Sequence, residues 1–364
     1  MPGYQVLFDG TAAPPAFYED ITRLEVEENA DLPDAISLEL PVTPRDGELS
    51  WVADPRVAPY ANLSVVVSAA DGGPQCVFDG YVLGHSVRVP AGPTGATVDV
   101  RGEDASVLMG LTETVREWSG QSDAGVAAAI FREYGITPSG DNGAETSPSH
   151  SDDEHTLMQR ASDIDFLRRL ARRTGRWCRV VCADKPGRRT GYFATPGLGG
   201  DPVVEIDLHD PDRRSTPVLD FRWDVARPTA VRARQAGLGE SDTDQNGVDA
   251  GTSDSGLRLM AARSLAEFAG RDRTVILTAP ADTAELPQRA AGLLREAGWF
   301  ASCEGTANLA SLGRVLRVGD VVGVAGCGAL LSGRWLVWSV RHRIGDETHA
   351  MSFVLVRNAM GGAS

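Results

Sequence analysis

Lysine is nearly missing from this 364-residue chain: Lys185 stands alone, and the other strongly basic residues are all arginine. With alanine and glycine abundant, this reads as GC-rich coding bias and carries no functional signal. Cysteine is scarce too. Cys76, Cys178, Cys182, Cys303 and Cys327 are odd in number and widely spread, which excludes a disulfide framework. Cys178 and Cys182 lie four apart in the strand-like stretch WCRVVC and would face one side of a sheet. Zinc ligands come as tighter pairs on turns, so the expected role of these cysteines is that of small buried apolar groups. No run approaches the roughly 20 apolar residues of a membrane-spanning helix. The opening MPGYQVLFDG has neither a basic region nor an apolar one, so no secretory signal is visible and folding in the cytoplasm is expected. Positive charge is in deficit: 35 Lys and Arg against 50 Asp and Glu leave −15. Such a surface repels phosphate backbones at long range and argues against nucleic acid as a partner.

The usual catalytic patterns are absent as well. There is no GxxxxGK[ST] phosphate loop, no HExxH and no GxSxG elbow. The glycine clusters at 197–200 and 326–328 lack the strand–GxGxxG–helix setting of a dinucleotide site. Two short segments offer oxygen or nitrogen ligands. DTDQNG, Asp242 to Gly247, matches the first half of a calcium loop, but position 12 is Ser253, and only Asp249 or Asp254 could close a non-standard site. HSDDEH, 150–155, has two histidines among three acids on the flank of a loop, without the rigid support a metal site needs. A plain acidic loop is the expected reading of the first, and a solvated loop that of the second. No catalytic, cofactor-binding or metal-binding residue is assigned, and a non-enzymatic role is expected.

What is present is mostly β pattern. Residues 1–105 alternate: Leu24 and Val26 inward with Arg23, Glu25 and Glu27 outward, then Ile36, Leu38, Leu40 and Val42 inward. Glycine- and proline-rich turns separate further short strands, as in a small antiparallel barrel or sandwich. Residues 106–215 change character. QSDAGVAAAIFREYGI predicts a helix capped at Ser122, with Val126, Ile130 and Tyr134 on one face and Gly135 as its stop. SDIDFLRRLARRTG predicts a second, capped by Ser162, with Asp163 and Asp165 at its positive end and Ile164, Phe166, Leu167, Leu170 and Ala171 buried. Arg168, Arg169, Arg172 and Arg173 fall on its outer face, and Gly175 ends it before WCRVV. Residues 216–364 mix strands with helices predicted at 256–270 and from Thr283, and include the acidic loop 237–256. In RWLVWSVRHRI, residues Leu336, Trp338, Val340, His342 and Ile344 are expected to share one face, His342 as a core histidine.

Two stretches echo each other. NLSVVVS…VFDGYVLGHSVRV (62–89) and GDVVGVAG…LLSGRWLVWSVRHRI (319–344) both run valine-rich strand, turn, glycine, long alternating strand, with Gly80 answering to Gly333. Either two β-hairpins are alike by chance, or the chain holds two related barrels with the α/β unit between them.

Four of these stretches together resemble the phage late-control protein D family, the hub proteins of contractile tails, and equally the hub half of VgrG-type spike proteins. They are ITRLEVEENADLPDAISLELP, VFDGYV, SDIDFLRRLARRTG and LRVGDVVGVAGCGALLSGRWLVWSVRHRI, spread from about 20 to 358. Val318 stands where the family often has proline, a minor departure. The resemblance implies an α+β, mainly β fold: a tail-tube-like barrel at 1–105, an inserted α/β domain at 106–215, and a second tube-like barrel with helices at 216–364. It further implies a structural baseplate hub, a homotrimer joining a six-fold inner tube to a three-fold spike. The implied partners are the tube protein, a spike on a separate polypeptide (the chain ends soon after its last strand) and other baseplate proteins, with no nucleic acid and no direct membrane contact. Strand edges would pair into a continuous inner wall, and valine at both Gly80 and Gly333 is expected to block ring formation while sparing secondary structure. Two other functions stay open: a baseplate-associated cell-wall hydrolase using Asp152, Asp153 and Glu154, and a calcium-dependent binding module using the loop at 242–254.

Overall fold

The computed structural model describes residues 3–45, 48–69, 73–91, 95–140, 149–150, 156–209, 218–224, 226–228, 230–235, 244–245, 274–279, 285–346 and 348–359. The first third is built from β1 (Tyr4–Phe8), β2 (Arg23–Asn29), β3 (Ala35–Pro41), β4 (Asn62–Ala69), β5 (Gly73–Arg88) and β6 (Thr97–Asp104). Both β2 and β3 bury every second residue, as their alternation predicts. Their inward side chains meet Val65, Val67, Val77, Phe78, Val98 and Val100 in one core. Each Val or Leu buried there contributes about 1.5–3 kcal/mol.

The middle third carries β7 (Glu113–Trp118), α1 (Asp123–Glu133), β8 (Leu157–Ser162), α2 (Asp163–Arg173), β9 (Trp177–Cys182), β10 (Arg189–Ala194) and β11 (Val204–Asp207). Ser122 caps α1 as expected, its Oγ accepting from the Gly125 N–H at 3.1 Å. The apolar faces of α1 and α2 close on a second core with Ile130, Phe131, Phe166, Leu167 and Leu170. Ser162 does stand at the N-cap of α2, but its hydroxyl donates to Asp165 Oδ2 at 2.9 Å and caps no backbone N–H. Gly175, at φ +64°, ends the helix.

The last third comprises β12 (Leu219–Trp223), β13 (Ala230–Gln235), β14 (Thr274–Ala279), α3 (Glu285–Gly298), β15 (Ala301–Asn308), β16 (Val321–Ala325), β17 (Gly333–Ile344) and β18 (His349–Arg357). Here β13 and β14 run parallel and pack with α3 around Val231, Ala233, Leu286 and Ala290. The remaining strands enclose a third large core with Trp335, Val337, Phe353 and Leu355. A β-bulge between Val337 and Ser339 breaks the expected single face of β17. Trp335, Val337 and Val340 share the core, whereas Leu336 and Trp338 turn toward Trp177 and Trp299. An extra residue in a strand inverts the parity of everything after it, which period-two counting does not anticipate.

Strands of the first and last thirds, with β11 from the middle third and without β13 and β14, form one continuous 13-stranded sheet. Its main path runs β12-β15-β18-β17-β2-β3-β6-β5-β4-β1 and ends on the short strand Thr11–Ala12, with β16 and β11 joined beside β17. Within that path the echo becomes a repeat of topology. In chain order β2, β3, β4, β5, β6 pair as β2-β3-β6-β5-β4, and β12, β15, β16, β17, β18 pair as β12-β15-β18-β17-β16. Two five-strand units with one winding are therefore joined through β17 and β2.

Candidate functional site

The joint between the two units is the feature around which the rest is arranged. Six residues of β17, Ser339 to Ile344, pair antiparallel with Asn29 to Leu24 of β2. On one side of this seam Arg341 meets Glu27 and Arg343 meets Glu25, both at 2.8 Å. On the other, Val340, His342 and Ile344 lie opposite Glu28, Val26 and Leu24, all buried. The exposed pairs are each worth a few tenths of a kcal/mol and set register more than strength.

Glu28 is 1% exposed and anchors a buried polar cluster behind the seam. It accepts from Arg317 Nε and from the Val318 N–H at 3.3 Å. Arg179, on β9, donates to Asp34 Oδ1 at 2.9 Å and to the Val318 carbonyl at 3.2 Å, and lies 3.7 Å from Glu28. Arg317 also donates to the Cys76 carbonyl at 2.8 Å, as does the Cys182 thiol at 2.7 Å. Asp34 and Asp104 hold each other through backbone and side chain, the Asp34 N–H reaching Asp104 Oδ2 at 2.6 Å. His342, fully buried as expected, lies 3.5 Å from Glu28 and 3.0 Å from His349. One cluster thus ties together β2, β5, β6, β9, β17 and the segment before β16, drawn from all three thirds of the chain.

The electrostatics follow from burial and from who stands nearby. Burial alone would raise Glu28, but Arg317, His342 and Arg179 outweigh it and hold the carboxyl down to about 2. Asp34 goes the other way: burial, with Glu28 and Asp104 adding to it, pushes it up to about 7 despite Arg179. His349 is pushed down to about 3 by burial and by His342. Burial raises the thiols of Cys178 and Cys303 to about 12, so these stay protonated and unreactive at neutral pH. The polar groups of the cluster are turned on one another, an arrangement suited to locking elements in place.

The structure redistributes several residues singled out from sequence. Cys178 and Cys182 are both buried, but only Cys178 is a plain apolar filler; Cys182 donates within the junction. His150 of HSDDEH is buried and bonded to Asp123 Oδ1 at 2.7 Å, under the first turn of α1, while Asp152, Asp153, Glu154 and His155 lie outside the described residues. Of the calcium-loop stretch only Asp244–Gln245 is described, a short strand antiparallel to β13; Asp242, Gly247, Asp249, Ser253 and Asp254, and the helix predicted at 256–270, lie outside. Among the described residues no group of three or more His, Cys, Asp or Glu could hold a metal ion. The arginines of α2 do not all face outward: Arg173 lies 3.7 Å from both Asp123 and Glu285, linking α1 and α3, and Arg168 reaches Ser106. Asp163 is buried, accepting from Tyr134 at 2.7 Å and from Gln159.

Gly80 and Gly333 do not play equivalent parts. Gly80 lies opposite Leu63, next to the start of β4, whereas Gly333 lies opposite Val324, one residue before the end of β16. A Cβ on Gly80 would fall 2.0 Å from the Glu103 carbonyl oxygen, so valine there would break the β5–β6 pairing itself. Gly333 has φ +122° and its Cβ would meet Arg357 at 3.2 Å. The double valine variant therefore disrupts strands and does not isolate ring formation.

The junction residues Glu28, Asp34 and Arg179 were not singled out from sequence, although a signal existed. Glu28 continues the inward parity of Leu24 and Val26, and Asp34 that of Ile36 and Leu38. An acid on the buried parity needs a cation, and Arg179 between the buried Cys178 and Val180 is that cation.

The overall fold is that of solved phage tail proteins. Two solved tail proteins share it over the whole chain. The 43 kDa tail protein of prophage MuSo2 from Shewanella oneidensis matches with a TM-score of 0.64 and 15% identity, over 99% of this chain and all of that one. The tail protein of Neisseria meningitidis MC58 matches with a TM-score of 0.65 and 12% identity, over 99% and 97%. The E. coli c3393 protein, a type VI secretion component, matches with a TM-score of 0.56 and 13% identity, over 99% of this chain and 79% of that one. Curated proteins return no match. The sequence profile of the phage tail baseplate hub family (GPD) matches residues 34–348, and the chain belongs to that family. Its role is structural, as a component of a baseplate hub. No helix among the described residues is long and apolar enough to cross a membrane.

Proposed function

We propose that the chain is the trimeric symmetry adaptor of its baseplate, with residues 1–105 and 216–364 as two tube-like domains and 106–215 as the inserted domain that braces them. The observation that carries this is the repeat: two five-strand units of one winding, already joined edge to edge in a single chain. Three such chains present six units around an axis, so one ring offers quasi-six-fold symmetry to an inner tube and true three-fold symmetry to a spike. The polar face of the sheet, bearing Glu25, Glu27, Arg341, Arg343, Ser37 and Arg101, would line the inner wall. Its alternating charges keep such a wall hydrated and without strong binding of one sign. The tube protein and the spike are the axial partners, other baseplate proteins the peripheral ones; no enzymatic step is required of the hub.

Negative-stain averages and native mass spectra of the purified chain, alone and with the tube protein of the same particle, test this. Three copies in a ring with a six-lobed inner wall are expected. Monomers alone, or a two-fold dimer, in both preparations would refute the adaptor reading.

A further inference from the structure

The repeat also says where one protomer meets the next. The two units can be aligned by their bulges. In β5 the pairing with β6 slips after Val82, and in β17 the pairing with β18 slips after Val337. The local backbone agrees. Val82 accepts from the Tyr60 N–H at 2.7 Å and donates to the Ala61 carbonyl at 3.0 Å; Val337 accepts from the Gly319 N–H at 3.0 Å and donates to the Asp320 carbonyl at 2.9 Å. Beyond that point β17 receives β2 along Ser339–Ile344. Along the corresponding Gly84–Arg88 of β5, no described strand pairs on that edge. Leu83, Val87 and Val89 are 37%, 40% and 63% exposed there.

The matching free edge is at the other end of the sheet. Carried through the registers of β6 with β3 and of β18 with β15, the alignment sets β12 on β2: Leu219 on Leu24, Asp220 on Glu25, Phe221 on Val26, Arg222 on Glu27. The outer edge of β2 is covered by β17, whereas among the described residues β12 pairs with β15 alone, and Val218 and Trp223 are 66% and 55% exposed. Two apolar, half-open edges on one chain are an aggregation hazard unless they meet each other.

We propose that a second copy of the chain docks here: its β12 adds antiparallel to the free edge of β5, with Phe221 opposite Val87 and Asp220 opposite Arg88. The contact repeats the intrachain seam in which Val26 faces His342 and Glu25 pairs with Arg343. The sign of that ion pair is kept, Arg88 standing for Arg343 and Asp220 for Glu25. Arg222 cannot stand for Glu27 in the same way; it is held by Asp220 at 2.9 Å and Glu304 at 3.3 Å. The edge at Thr11–Ala12, which terminates the sheet path, stays outside the contact. Because the two surfaces differ, the contact is head-to-tail and closes only as a ring. This docking rests on the ring reading above.

Cysteine pairs in the full-length chain separate the two. Directly opposed residues in an antiparallel pair have Cβ atoms about 4.5–5.5 Å apart, close enough for a disulfide after a small adjustment. Arg88→Cys with Asp220→Cys, mildly oxidised, is expected to yield linked dimers and closed trimers on non-reducing gels. Thr11→Cys with Asp220→Cys, which would link if the two ends of the sheet met, is expected to stay monomeric, as are the single variants. Independently of disulfide geometry, Arg88→Asp should weaken association about fivefold, and adding Asp220→Arg should restore it. Native trimers with a silent 88–220 pair, or with the 11–220 pair linking, would overturn the docking and leave the ring intact. Absence of any oligomer for the wild-type chain and for its complex with tube protein would overturn both.

Discussion

Replacing Arg179 with methionine isolates what the buried cluster contributes. The substitution keeps most of the side-chain length and removes the charge. It deletes the 2.9 Å bond to Asp34, the approach to Glu28 and the donor to the Val318 carbonyl, at a site where both carboxylates are 5% exposed or less. Breaking a buried ion pair by removing one partner costs about 3–5 kcal/mol, because the remaining charge has neither water nor a counter-ion. With an m-value of about 3 kcal/mol per molar urea, the unfolding midpoint should fall by about 1 M or more at pH 8. The pH dependence identifies the cause. Asp34 has a raised pKa, about 7 in the folded chain, so its favourable contribution is fully present below its unfolded value near 4 and is lost as pH rises through about 7. Without Arg179 its ionisation is costlier still. The variant should therefore be hurt more at pH 8 than at pH 5, where a proton can neutralise Asp34. Tryptophan fluorescence is a suitable probe, since Trp177 at the start of β9 packs edge-on against Trp338 with centroids 5.4 Å apart. A loss below about 1 kcal/mol, or the same loss at both pH values, would refute the argument.

Other consequences can be measured on the same material. Glu28 has a depressed pKa, so its contribution is present above about 4.5 and lost as pH falls toward about 2; Glu28→Gln should flatten that acid limb in near-UV circular dichroism while lowering stability at pH 7. Gly80→Val should cost about 3 kcal/mol or more and yield largely insoluble protein, because its Cβ has the Glu103 carbonyl and not a yielding side chain in its way. Gly333→Val should destabilise as well, because φ +122° is a backbone conformation valine rarely adopts and its Cβ would meet Arg357, which is fully buried and donates to the Leu331 and Ser332 carbonyls; thermal unfolding of the soluble fraction checks it.

Much of the architecture was written in local pattern. Period-two alternation in β2 and β3, the Ser122 cap and the apolar face of α2 each follow from residues within a dozen positions of one another, because helices and strands are decided by short-range sterics and by which side must leave water. The order of four such patterns sufficed to place the chain among baseplate hubs, and the repeat showed as an echo between 62–89 and 319–344. Tertiary structure decided what depends on partners far apart in the chain. The bulges after Val82 and Val337, the non-equivalence of Gly80 and Gly333, and the inward turn of Arg168 and Arg173 have no local signature. Nor does the union of both units in one sheet, where Glu25 and Glu27 find arginines more than 300 positions away. Glu28 shows the division within one residue. Its parity marked it as buried, but a buried carboxylate is tolerable only beside cations, and which cations these are, Arg317 and Arg179, was set by the packing of three separate segments.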